Sequence, residues 1–155
     1  LLTDIEIVKL LKEPKILPSD FVKRIIPKPK RGHKEIELNF KGINNSEYAI
    51  ILRQSLIEPL KFSAILAYQI PKSNQRFRLR RYNGKHQHTN KIERIHFFDY
   101  HIHQATERYQ LLGVREDTYA EPSNRFSNLN EAVNCLLEDC NFNIVNESQT
   151  SLLLK

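Results

Sequence analysis

Lys61–Ile70 reads K-F-S-A-I-L-A-Y-Q-I. Phe62, Ala64, Leu66, Tyr68 and Ile70 share one side of an extended chain, because strand side chains alternate with period 2. The stretch therefore predicts a strand, and its neighbours extend the pattern in both directions. Upstream, Glu47–Ser55 has an Ala49–Leu52 centre that is apolar on both faces. Before it, Ile36, Leu38 and Phe40 alternate with Glu35, Glu37 and Asn39, and G-I-N-N at Gly42–Asn45 supplies a turn. Downstream, P-K-S-N at Pro71–Asn74 leads into Arg76–Tyr82. Four such segments joined by short turns describe an antiparallel meander whose middle strands are the most buried.

His96–His103 adds a fifth strand, with Phe98, Tyr100 and Ile102 on one side and Phe97, Asp99, His101 and His103 on the other. Helices flank the sheet in sequence. Thr3 followed by Glu6 is a capping box opening Asp4–Lys12, which Pro14 ends, and Asn128 followed by Glu131 opens a helix to Cys140 with Leu129, Val133, Leu136 and Leu137 as its buried stripe. Gln104–Leu112 reads as a short helix stopped by Gly113, and Phe142–Val145 as a short closing strand. The fold class expected is α+β: an antiparallel meander of about five strands from Lys34 to His103, with the N-terminal and C-terminal helices packed on one face. The organisation expected is an N-terminal helix and basic, proline-rich connector over 1–33, a single domain over 34–145, and a tail over 146–155.

The chain has 155 residues, of which 40% are hydrophobic and 27% charged, a composition that supports a core without staples. No apolar run approaches the roughly 18–20 residues of a membrane span, and acids interrupt Leu1–Leu11 too often for a secretory signal, so a cytoplasmic protein with no membrane partner is expected. Cys135 and Cys140 are five apart in a helix, on different faces, and read as reduced packing residues. Four glycines in all, with no phosphate-binding loop, exclude dinucleotide and P-loop folds.

The net charge of +6 is unevenly distributed: residues 1–33 carry 8 basic and 4 acidic side chains, residues 73–95 carry 7 and 1, and residues 96–155 carry 4 and 9. Such concentration favours a polyanionic partner, RNA or single-stranded nucleic acid. The expected contacts are an outer row of Arg76, Arg78 and Arg80 on one strand, Lys85, and the arm Lys28, Lys30 and Arg31.

Five of the six histidines fall between Arg76 and Tyr109, as His86 and His88, His96, and His101 and His103. Each His-x-His pair points both rings to one side of a strand. Asn83-Gly84 reads as a two-residue hairpin turn, which would set Arg81 opposite His86 and put His86 and His88 on the Phe77/Leu79/Arg81 side. Cleavage of RNA by its own 2′-hydroxyl needs a base, an acid and a cation, and His86, His88, His101 and His103 with Arg81 and Glu107 supply these types. A metal-binding hydrolase is the alternative, with zinc or manganese held by His86, His88, His101, His103 and Asp99. The fixed charges of Arg81, Arg94 and Arg108 oppose a dication, so no cofactor is favoured. A third alternative is a binding module in which arginines grip phosphates and the histidines only pack or stack.

The strings R-R-Y-N-G-K-H-Q-H-T-N (Arg80–Asn90) and H-I-H-Q-A-T-E-R-Y (His101–Tyr109) resemble those of a family of small prokaryotic proteins similar to the toxin half of TumE-type toxin–antitoxin pairs. The likeness covers residues 75–140. It implies a cytoplasmic growth-inhibiting toxin or defence component, with RNA as target and a cognate antitoxin as partner. It carries no catalytic roles to particular positions.

Overall fold

The computed structural model describes residues 1–145 and 152–154. Elements follow in the order α1 (Asp4–Lys12), β1 (Lys15–Leu17), α2 (Phe21–Arg24), β2 (Lys28–Pro29), β3 (His33–Lys41), β4 (Glu47–Ser55), β5 (Phe62–Gln69) and β6 (Arg76–Asn90). The second half comprises β7 (Ile95–Gln104), α3 (Glu107–Leu111), β8 (Ala120–Pro122), α4 (Leu129–Asp139), β9 (Phe142–Val145) and β10 (Leu152–Leu154). Of the tail expected at 146–155, residues 146–151 and 155 lie outside the described residues, and β10 pairs antiparallel with β9.

The α+β class and the meander are as the alternation predicts, but the sheet has seven strands rather than five, in the order β2-β3-β4-β5-β6-β7-β8. The two additional strands are the edges β2 and β8. Each is only 2 or 3 residues long, too short to show alternation, and each contains a proline, tolerated there because an edge has no ladder partner to donate to. A separate sheet, β1-β9-β10, joins the chain's beginning to its end, with β1 parallel to β9.

One face of the large sheet is the core. Leu38, Tyr48, Ile50, Leu52, Phe62, Ala64, Leu66, Phe77, Leu79, Tyr82 and Ile102 pack against Ile7 and Leu11 of α1 and Leu129, Val133, Leu136 and Leu137 of α4. Burying each large aliphatic side chain contributes about 1.5–3 kcal/mol. Residues 1–33 thus share this core. The caps are those the sequence signals: Thr3 Oγ1 accepts from Glu6 N (3.1 Å) while Glu6 Oε1 accepts from Thr3 N (3.0 Å), and Asn128 Oδ1 accepts from Glu131 N (2.9 Å).

Lys15 is buried beside this core. Its ammonium donates toward the carbonyls of Leu10 (2.8 Å), Leu11 (3.0 Å), Glu13 (2.9 Å) and Cys140 (2.8 Å). It thereby supplies donors to the C-terminal ends of both α1 and α4, where helices leave carbonyls unpaired. Burial pushes Lys15 down to about 8, so it is still mainly an ammonium at neutral pH.

β6 runs unbroken through Asn83-Gly84, which corrects the expected hairpin. Gly84 has no positive φ, as a type I′ turn would require. A side chain there would instead collide with the backbone: a Cβ would lie 1.8 Å from the Leu60 carbonyl oxygen. The glycine serves a close approach of the loop before β5. The reversal into β7 occurs at residues 91–94, where Arg94 takes φ +59°.

Candidate functional site

The sheet face opposite α4 is where the polar side chains collect. Register across β3 to β7 aligns Glu35, Arg53, Ser63, Asn83 and His101 in one row, and Glu37, Ile51, Ile65, Arg81 and His103 in the next. His86 sits opposite Asp99, and His88 opposite Phe97. Ala49, Ile51, Ile65 and Ala67 form a small buried apolar strip beside them.

Two irregularities set this arrangement. A bulge shifts register between Leu66 and Ala67, which pair with Arg80 and Arg78, so that Leu79 and Arg80 both turn to the helix-covered side. Arg80 Nη1 lies 4.0 Å from Asp139 Oδ2 of α4, while Arg76 and Arg78 remain on the opposite face. The expected single arginine row is therefore split, because a bulge changes parity along a strand. A second irregularity between Asn83 and His86 keeps His86 and His88 on the face that carries Arg81, His101 and His103. That face is opposite Leu79, contrary to the grouping the hairpin would have given.

The four imidazoles form one cluster. Ring centroids are 4.5 Å apart for His86 and His101, 4.8 Å for His88 and His103, and 4.9 Å for His101 and His103. His101 Nδ1 lies 2.7 Å from Asp99 O, and His103 Nδ1 lies 2.8 Å from Asp117 O. A carbonyl oxygen only accepts, so each Nδ1 carries the proton and each Nε2 presents a lone pair. Both Nε2 atoms are buried without a partner. His88 donates from its other ring nitrogen: the Asn90 amide is fixed by donating to Ala120 O (2.7 Å) and accepting from Ala120 N (2.9 Å), so its Oδ1 accepts from His88 Nε2 (2.9 Å).

Burial, reinforced by Arg81 and the neighbouring rings, pushes His103 down to about 2, and burial pushes His101 down to about 4. Both are neutral at physiological pH. They are 0% and 3% exposed, so within this fold they touch other imidazoles rather than a substrate. His86 is exposed, and burial of part of its ring followed by the charge of Arg81 holds it below the ordinary imidazole range. Arg81 is itself anchored: its Nε donates to Asp117 Oδ2 (2.8 Å), and Arg115 Nε holds the other carboxylate oxygen (2.8 Å).

A cleft of about 370 Å³ opens beside His86 and is lined in part by Gly32, His33, Arg53, Ser55, Lys61 and Ser63. His33, the sixth histidine, thus joins the site from β3. Its Nδ1 lies 2.9 Å from Arg31 O and its Nε2 3.5 Å from Glu35 Oε1. Burial alone would raise the Glu35 carboxyl, but hydrogen bonds and charge from Lys30 and Arg53 outweigh it and hold the group below its usual value. Arg53 Nε approaches Glu35 to 2.7 Å and Lys30 Nζ to 3.2 Å. The arm with Lys28, Lys30 and Arg31, which is exposed, leads into the cleft at Gly32.

Other expected residues lie elsewhere. Glu107 starts α3, where its N–H donates to Asp4 Oδ1 (2.9 Å) and its Oε1 lies 3.4 Å from Asp4 N, tying α3 to α1 rather than reaching the imidazoles. Asp99 is exposed and offers the cluster its carbonyl, not its carboxylate. Arg76 pairs with Glu37 and Asn39. Lys85 is exposed with its ammonium 5.9 Å from the Phe98 ring centroid. His96 is exposed near the end of the β6–β7 ribbon. Among the described residues, no group of three or more His, Cys, Asp and Glu side chains is placed to hold a metal ion. Nor is any described helix long and apolar enough to cross a membrane.

His33, Glu35, Arg53, Lys61 and Ser63 escaped sequence reading as site residues. His33 does continue the polar alternation of Glu35 and Glu37, but only the strand order brings it to the same cleft as His86. No family model, curated protein or solved structure matches the chain.

Proposed function

We propose that the protein is an RNA-directed nuclease that cleaves by metal-independent acid–base chemistry at the cleft between His33 and His86. The observation that carries this reading is the cleft's content: two accessible imidazoles, one beside a carboxylate, with Arg53 and Lys61 between them. One imidazole would remove the 2′-hydroxyl proton and the other protonate the leaving 5′-oxygen, while the cations stabilise the charge growing on phosphorus. Because β3 and β6 are three strands apart, this requires both side chains to reach inward and close on the phosphodiester when RNA binds. Glu35 orients His33, as a carboxylate beside an imidazole commonly does. The buried, neutral rings of His101 and His103 support His86 and His88 from beneath. Fixed positive charge attracts a phosphodiester and opposes a dication at the same place.

The buried, unpartnered Nε2 atoms of His101 and His103 favour a second reading, a zinc or manganese hydrolase. Since no third ligand is placed with them among the described residues, that reading requires His88 or His86 to turn toward the ion on binding. The Nδ1–H groups of His101 and His103 already donate to carbonyls, as ligating histidines do. Under the resemblance described above, the nuclease would be the growth-inhibiting half of a toxin–antitoxin pair, with an antitoxin restraining it.

The test is RNA cleavage by purified protein with and without a chelator, alongside its metal content. Chelator-resistant cleavage lost in both His86→Ala and His33→Ala supports the acid–base reading. Stoichiometric metal, lost together with activity in His101→Ala and His103→Ala, would replace it with the metal reading. Nucleic-acid binding without cleavage in any condition would leave a passive binding module.

A further inference from the structure

The β6–β7 ribbon extends past the rest of the sheet. Pairing of β5 with β6 ends at Ser63 and Asn83, so among the described residues β6 has no strand on that side from Lys85 onward, while β7 accompanies it to Asn90. On this two-stranded ribbon Phe98 is 57% exposed, although nothing in the core needs it there. Gln87 faces it across the strands, and Lys85 Nζ lies 5.9 Å from its ring centroid. Lys91 and Arg94 stand exposed in the turn. The turn's one acid, Glu93, is engaged by Arg108 Nη2 (2.6 Å) and Tyr109 Oη (2.6 Å). The other ribbon acid, Asp99, lies on the imidazole side opposite His86.

An exposed aromatic ring beside unpaired cations is what single-stranded nucleic acid requires, because every base has a stacking face and every nucleotide a phosphate. A duplex hides those faces. We propose that the ribbon holds a single RNA strand as it leaves the cleft: the strand crosses the free edge of β6 at Lys85 and stacks a base on Phe98. Lys85 and His86 are consecutive, on opposite faces of the ribbon, so the crossing begins beside the cleft. Gln87 is placed to meet the base edge, and Lys85 to meet its phosphate. A protein contact is the competing use of this ribbon, where Ile92 and Ile95 are exposed as well as Phe98, but the Lys85 ammonium beside the Phe98 ring and the exposed Lys91 and Arg94 at the turn favour an anionic strand.

This inference deepens the nuclease reading and is separable from it by measuring binding with a strand that cannot be cleaved. The probe is a fluorescent 2′-O-methyl single-stranded oligonucleotide, compared with a duplex of the same sequence. Phe98→Ala should weaken single-strand binding roughly tenfold, with the thermal midpoint unchanged, and Phe98→Trp should restore it. Lys85→Ala should lower affinity and flatten its salt dependence, while duplex binding should be weak and indifferent to Phe98→Ala. Single-strand binding by Phe98→Ala equal to that of the unaltered protein overturns the inference, as does a change of oligomeric state in Phe98→Ala without loss of binding. If Phe98→Ala binds normally while His86→Ala no longer cleaves RNA, the inference falls and the nuclease stands. If Phe98→Ala fails to bind and no RNA is ever cleaved, the nuclease falls and the binding ribbon stands.

Discussion

The two faces of the large sheet differ in how they satisfy buried polar groups. Among the described residues, the helix-covered side leaves one buried nitrogen unmatched, Arg80 Nε, whose guanidinium still reaches toward Asp139, whereas the open side leaves two, on adjacent imidazoles. On the helix-covered side, Lys15 is wholly buried and meets four carbonyls, so its charge is spent joining the ends of α1 and α4. Nearby, Asp139 is equally well served, by Tyr82 Oη (2.6 Å) and both terminal nitrogens of Arg125 (2.9 and 2.8 Å). On the open side, His101 and His103 keep their Nε2 atoms buried and unmatched, next to a cleft with two further imidazoles. A satisfied buried polar group is sufficiently explained by stability. An unsatisfied one beside a cleft calls for another explanation, and chemistry at the surface above it would supply one.

The contrast is most open to attack through stability. Lys15→Ala removes a buried cation, strands several carbonyls and leaves a cavity, and should cost about 3–5 kcal/mol in urea unfolding. His101→Phe, which removes the unmatched Nε2 at the expense of the Nδ1–H bond to the carbonyl of exposed Asp99, should cost less than about 1.5 kcal/mol. Equal losses in the two variants would erase the distinction between the faces. Gly84→Ala is expected to fall between them, at about 1–3 kcal/mol, because its Cβ would meet backbone rather than a movable side chain.

Acid titration sharpens the same contrast. The folded-state values of His101 and His103 lie below the ordinary 6.5, so the unfolded chain takes up protons first. Their contribution to stability is fully present above about pH 6.5 and is lost as pH falls, toward about 4 for His101 and about 2 for His103. Stability measured from pH 6.5 down to 4 should therefore fall more steeply in the unaltered protein than in His101→Phe, by about 1.4 kcal/mol per pH unit. Parallel curves would show that His101 is not held neutral by its surroundings. The smallest expected effect concerns the arginines. Arg78→Ala should reduce the salt slope of RNA binding by about one phosphate contact, whereas Arg80→Ala, paired toward Asp139 on the other face, should leave it unchanged.

What could be read from the sequence was local. Phe62–Gln69 alternates cleanly and is the central strand it announces, and α1 and α4 begin at the side-chain caps their sequences advertise. The misreadings share one cause, an assumed regularity. Asn83-Gly84 resembles a turn signal, but a glycine is also needed where another backbone comes close, and only the position of Leu60 decides between the two. Arg76, Arg78 and Arg80 look like one row until a bulge reverses parity between them. The gathering of four histidine rings follows from two strands pairing, which their spacing suggested. His33 comes from a strand three places away in the sheet, a relation that no local pattern encodes.

The central claim, that His33 and His86 exchange protons with RNA in the cleft, is tested most directly by the pH dependence of single-turnover RNA cleavage in excess chelator. The unaltered protein, His33→Ala and His86→Ala are to be compared. The unaltered protein should show a bell-shaped profile, with its rate unaffected by the chelator, and each variant should lose at least about a hundredfold. Cleavage that persists undiminished in both variants, or that stops when the chelator is added, would contradict it.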